Sequence, residues 1–261
     1  MKKEEVATSA SSNNGYIKIS ATDSNRTLLI NVKLEAKEFS HFYCKNDHQD
    51  LGINLNTFYK LIKNTEKEDT LTLQYNEEDE QNLIIKVSNS IKGRHTINKL
   101  KLMELDKNEI KIPATKFDAQ IIFNALEFHN ICKEMSGISE CIEIKCTKKS
   151  ITFSCKGDSS EKSTVYCANE NGTNITFTNS DSDIIQGIFE LKYLILLQKY
   201  SHFSDDIQIF VKNAYPLCIL YNIANLGHMK FCLIPLNTEN YEEYNDDVDN
   251  EYEDTDVKAI E

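Results

Sequence analysis

The chain has 261 residues, 40% of them hydrophobic, with 29 lysines and arginines against 41 aspartates and glutamates for a formal charge of −12. That length and composition allow one large core or two domains of ordinary size. No apolar run is long enough to cross a bilayer as a helix, and the opening MKKEEVATSASSNN has no apolar signal-peptide core, which implies a cytosolic or nuclear chain.

Taken from the start, the first strong pattern is GYIKISATDSNRTLLINVKL (15–34), two extended runs rich in Ile, Val and Thr around a polar turn. The same pattern returns at DTLTLQYNEEDEQNLIIKVS (69–88), CIEIKCTKKSITFSC (141–155) and DIQIFVKNAYPLCILYNI (206–223). Each reads as a β-hairpin. Before the second stands LNTFYKLIK (55–63), before the third NALEFHNICKEM (124–135) and before the fourth LKYLILLQK (191–199), all with apolar residues at helical spacing. The repeating unit is therefore helix then hairpin, an α+β pattern, and four copies fit two similar domains of two units each. The opening segment is too short and too polar to supply the first hairpin with a helix. After the last hairpin the chain closes on ENYEEYNDDVDNEYEDTDVKAIE (239–261), whose eleven acids and one lysine carry −10 of the −12. With no apolar face, it reads as a solvated, disordered end, and the body is nearly neutral.

Leu55, Phe128 and Leu191 mark the same point of three helical stripes, with Phe58, Ile131 and Leu194 three residues on and Tyr59, Cys132 and Ile195 four on, making one buried face. In that register Lys60, Lys63, Lys133, Lys192 and Lys199 all fall on one side of the stripe. Lysine is a good helix former on any solvated face, which would explain one such helix. Three helices in phase point to a shared purpose. A row of flexible point charges without arginine forks or interleaved aromatics suits phosphates whatever the base sequence, that is, nonspecific duplex DNA.

The eight cysteines contain no C-x-x-C pair, and several alternate with polar residues as strand positions do, so they read as buried free thiols rather than a zinc site or a disulfide framework. There is no G-x-x-x-x-G-K-[ST], no G-x-G-x-x-G and no H-E-x-x-H, and the six histidines are scattered; the expectation is no catalytic site, no metal and no cofactor.

Four stretches carry a resemblance: LGINLNTFYKLIK (51–63), KLKLMELDKNEIKIPATKF (99–117), FELKYLILLQKYSHFSD (189–205) and IANLGHMKFCLIPL (223–236). They are similar to the proliferating cell nuclear antigen (PCNA) type of sliding clamp, in order, from about Tyr16 to Leu236. The resemblance implies a DNA clamp fold with sheets outside and helices lining a ring. It divides the chain into an N-terminal clamp domain (1–98), an interdomain linker (99–117), a C-terminal clamp domain (118–236) and the acidic tail (237–261). The implied function is a nuclear processivity factor that encircles duplex DNA as a homotrimer and takes part in replication, repair and translesion synthesis. Its partners would be DNA polymerase, clamp loader, nuclease and ligase, bound through short docking peptides. A subunit of the heterotrimeric checkpoint clamp is the alternative, which the stretches LMELD and GHMKF disfavour.

Carried over by position, the five lysines fall where the family faces DNA, with Asn130 where arginine is usual. Leu29, Leu105, Asp106, Ile110, Ile112, Pro113, Pro216 and Ile234 fall in the family's peptide pocket. Thr22, Arg26 and Cys232 belong to the same pocket but replace the usual Met, His and Tyr. Lys148, beside Lys149, matches the family's modifiable lysine. The strand near Arg94–Met103 of one subunit is expected to pair with Ser163–Cys167 of the next. Family members begin with a strand and a basic helix that this start does not show. The expectation is an incomplete start, an uncovered first hairpin and a loosened first domain.

Overall fold

The computed structural model describes residues 6–11 (backbone only), 15–46, 49–76, 79–104, 115–169, 172–178 and 183–236. The chain forms two compact units, Met1–Asn108 with Asn225–Met229, and Glu109–Ala224 with Lys230–Glu261.

In the first unit, β1 (Val6–Ser11), β2 (Tyr16–Thr22), β3 (Leu28–Glu35) and β4 (Gln49–Gly52) lie antiparallel in the order β4-β1-β2-β3. The expected hairpin is β2–β3, with Thr22 opposite Leu29. Its turn closes because the Asp23 carboxylate accepts from the Leu28 N–H at 2.8 Å while Arg26 takes a left-handed φ of 58°. The opening segment, too polar for a helix, makes a strand instead. Val-Ala-Thr-Ser-Ala-Ser is extended and pairs on both sides, with β2 and with β4.

Helix α1 (Leu55–Ile62) follows, then β5 (Thr70–Tyr75), β6 (Asn82–Asn89) and β7 (Arg94–Lys101), a sheet in that order. Asn54 starts the helix by accepting from the Thr57 N–H at 2.9 Å. Strand β6 alternates strictly, burying Leu83, Ile85 and Val87, and its face meets Ile53, Leu100 and the helical side chains Phe58, Leu61 and Ile62. Tyr59 departs from the expected stripe: it is 65% exposed, because a helix this short turns only one narrow ridge to the sheet.

The second unit repeats the plan. Strand β8 (Ala119–Asn124) leads directly into α2 (Ala125–Ser136), capped by Asn124, whose side chain accepts from the Glu127 N–H at 3.0 Å. Then come β9 (Cys141–Thr147), β10 (Ser150–Lys156), β11 (Glu161–Cys167), β12 (Asn174–Phe177) and β13 (Ile184–Glu190), followed by α3 (Leu191–Leu196). A 3₁₀ turn, Leu197–Tyr200, takes over where the sequence pattern continues as helix to residue 199. Strands β14 (Asp206–Val211), β15 (Leu217–Ile223) and β16 (Gly227–Leu233) close the chain. The sheet orders are β11-β10-β9-β13 and β12-β8-β14-β15-β16. All four expected hairpins are present, as β2–β3, β5–β6, β9–β10 and β14–β15. Gly227, in the start of β16 that belongs to the first unit, takes φ 154°, and a Cβ there would sit 1.9 Å from the Lys33 carbonyl oxygen of the same unit, so the position admits no side chain.

The core of this unit is aromatic. Phe123, Phe128 and Phe153 are at most 1% exposed and meet edge-on, with ring centres 5.6 Å apart for Phe123–Phe153 and 6.0 Å for Phe128–Phe153. Burying each such ring contributes about 1.5–3 kcal/mol.

The cysteines correct one expectation. Cys218 on β15 and Cys232 on β16 form a disulfide, their Cα atoms 4.3 Å apart, because the closing hairpin sets them opposite each other. The other six are free thiols, and burial pushes those of Cys132 and Cys146 up to about 12.

Candidate nucleic-acid interface

The three helices present their lysines outward. Lys60, Lys63, Lys133, Lys192 and Lys199 are all exposed. Lys60 and Lys133 lie in the last turns of α1 and α2, Lys63 is the C-cap of α1, and Lys199 closes the 3₁₀ turn after α3. A cation there complements the negative end of the helix dipole, which accounts for their place along the helix. It does not account for their shared side of it.

Lys192 differs from the others. It is ion-paired with Glu190, the residue at the N-cap of α3, lies 4.8 Å from the centre of the Tyr193 ring, and has its pKa raised, chiefly by the Glu190 hydrogen bond. The sequence stretch has no carboxylate between Lys192 and Lys199, yet the one just before it takes up the first charge. Lys60, Lys63, Lys133 and Lys199 have no ion pair among the described residues. On α2 the nearby acids are engaged with β11: Tyr166 donates to Glu127 at 2.6 Å, and Lys162 pairs with Glu134 at 2.5 Å. Exposed apolar side chains accompany the lysines, Tyr59 on α1, Leu126 (62%) on α2 and Leu196 (49%) on α3. Sequence periodicity missed Tyr59 by assigning it to the core.

The residues matched to a peptide pocket divide between the units. In the first, Thr22 donates to the Leu28 carbonyl at 3.1 Å, Arg26 projects from the β2–β3 turn, and Leu29 is half-buried. In the second, Pro216 and Ile234 are half-buried, while Cys232 is 3% exposed and bonded to Cys218. Leu105, Asp106, Ile110, Ile112 and Pro113 lie outside the described residues, as does the acidic tail. Lys148 is exposed and pairs with Asp183 at 3.2 Å. Among the described residues no three His, Cys, Asp or Glu side chains converge as a metal site, and no helix is long and apolar enough to cross a membrane.

Two family profiles match in tandem, "Proliferating cell nuclear antigen, N-terminal domain" over residues 3–109 and "Proliferating cell nuclear antigen, C-terminal domain" over 111–236. The chain belongs to the proliferating cell nuclear antigen family. It is 30% identical over 224 residues to a "Probable DNA polymerase sliding clamp 1" of Paramecium bursaria Chlorella virus 1, covering 84% of each chain. It is 30% identical over 229 residues to the "Proliferating cell nuclear antigen" of Chaetomium thermophilum, covering 85% of this chain and 86% of that one. It is 27% identical over 219 residues to the Caenorhabditis elegans protein of the same name, covering 83% of each.

Proposed function

We propose that this protein is a DNA sliding clamp, a processivity factor that keeps a DNA polymerase on duplex DNA without a catalytic step of its own. The observation that carries this reading is the tandem match of both clamp domains across nearly all of the chain up to Leu236. The exposed lysines of α1, α2 and the α3 turn support it: they give DNA phosphates contacts that exchange without a sequence-specific minimum. The protein acts as a homotrimeric ring in the nucleus. Strand β7 of one copy pairs with β11 of the next. Each is an outermost strand of its sheet, and each carries an exposed aliphatic residue, Ile97 at 65% and Val165 at 56%.

Polymerase, clamp loader, nuclease and ligase dock through short peptides anchored as a helical turn. Thr22, Arg26, Leu29, Leu105, Asp106, Ile110, Ile112, Pro113, Pro216, Cys232 and Ile234 receive them, and Lys148 is the site for regulatory modification. No observation favours the checkpoint-clamp alternative. The test is primer extension on a primed circular template with a replicative polymerase and clamp loader. Addition of the protein should lengthen the products of single binding events; unchanged product length overturns the reading.

A further inference from the structure

The Cys218–Cys232 disulfide joins β15 to β16 inside the second unit. Pro216 stands just before β15 and Ile234 just after β16, each two residues outward from one of these cysteines, so both sit at the same end of the hairpin as the bond. Cys218 is 0% and Cys232 3% exposed, whereas Pro216 and Ile234 are half-buried, so the disulfide is the buried near neighbour in the chain of the two residues assigned to peptide docking. The other buried thiols have no such geometry: Cys132, Cys146 and Cys155 sit on α2, β9 and β10 as free cysteines.

We infer that the Cys218–Cys232 pair is a redox staple that sets the affinity of the clamp for docking peptides. This rests on the docking role of Pro216 and Ile234 proposed above. In the bonded state the two strand ends are held at one spacing and the apolar floor is preorganised. In the reduced state two thiols must occupy a space that fits one disulfide, so the strands part locally and Pro216 and Ile234 lose their fixed separation. Ordering them again falls on the incoming peptide.

Hydrogen peroxide is the oxidant of this proposal. One thiolate attacks the O–O bond and expels hydroxide, which is protonated to water, leaving a sulfenic acid. The second thiol displaces a second water from it. Two thiols and one hydrogen peroxide thus give one disulfide and two waters. A dithiol or phosphine reverses the bond.

The experiment uses the full chain and a fluorescent docking peptide from a replicative polymerase. Protein is treated with hydrogen peroxide or with a phosphine reductant, and the Cys218–Cys232 bond is scored in each sample by non-reducing peptide mapping, which separates it from adducts of the exposed Cys167. Peptide affinity should fall roughly three- to tenfold on reduction. Cys218→Ala should bind at the reduced value under both treatments; the mutation-free reduced protein carries the test if that variant does not fold. Equal affinity in the two states, with the bond shown to have changed, overturns the staple and leaves the docking reading intact. Failure of both states to bind peptide overturns the docking reading and this inference with it.

Discussion

At the scale of single residues, His129 is a buried group whose ionisation the fold opposes. It is 3% exposed on α2, its Nδ1 has no hydrogen-bond partner among the described residues, and its Nε2 lies 3.5 Å from the Tyr221 hydroxyl. Burial lowers its pKa from the ordinary 6.5. Between the lowered folded value and 6.5 the unfolded chain binds more protons, so stability is level above that window and falls as pH drops through it. Thermal melts from pH 8 to pH 5 should show this loss, and His129→Phe should flatten it; a variant that loses stability as steeply as the wild type refutes the assignment.

The lysines make a second residue-scale case. If each of these lysines neutralises one phosphate, then Lys60→Ala, Lys63→Ala, Lys133→Ala and Lys199→Ala should each lower the slope of log affinity against log salt by about 1 for every copy of that lysine in the ring that contacts phosphate. Lys192→Ala should change it far less, since Glu190 already holds that charge. Equal slopes for all five variants would refute the distinction. Lysine positions were legible in the sequence because helical spacing is local. The Glu190 pairing was not, because it depends on a strand running directly into α3.

At the scale of elements, the same contrast separates what periodicity reveals from what it hides. The four hairpins and three helices announce themselves through alternation and stripes. Strands β1, β4, β8, β12 and β13 do not: β4 and β12 have only four residues each, β8 runs straight into α2, and β1 is built of small residues held by its neighbours on both sides. The disulfide depends on register across the last hairpin, which sequence spacing alone leaves open.

Strand β5 has a further consequence. Leu71 and Leu73 face the same way as Val87 and Ile85, yet they are 41% and 42% exposed, because β5 is the outermost strand of its sheet; in the second unit the strand in the matching place, β14, is flanked by β8. Leu73→Thr should therefore cost under about 1 kcal/mol, whereas Ile85→Ala, at 0% exposure, should cost about 2–5 kcal/mol by denaturant unfolding. Amide exchange across β5 should also outpace exchange across β14. Equal protection of the two strands would show that β5 is covered as well as its counterpart.

For the whole molecule, the proposed clamp role turns on topology. Four helix lysines with no ion pair among the described residues, on nearly neutral domains, would give a weak, salt-sensitive attraction, and contacts of this kind lose roughly 10³–10⁵ in affinity between 50 and 200 mM salt when six to ten phosphates are neutralised. Local contact alone therefore cannot hold a polymerase at high salt, but a closed ring can, since escape requires opening a subunit interface or sliding off an end. The β7–β11 pairing proposed above would supply that interface: Ile97→Lys or Val165→Lys would then bury a charge at the sheet junction, and light scattering should report monomers where the wild type is expected to give trimers. Loaded by a clamp loader onto nicked circular DNA, the wild type should remain bound through a high-salt wash and be released when the circle is cut by a restriction enzyme. The Ile97→Lys protein should be lost in the wash from both. Equal retention of wild type on circular and linear DNA would mean that it is held by contact and not by enclosure, and the clamp reading would fall with it.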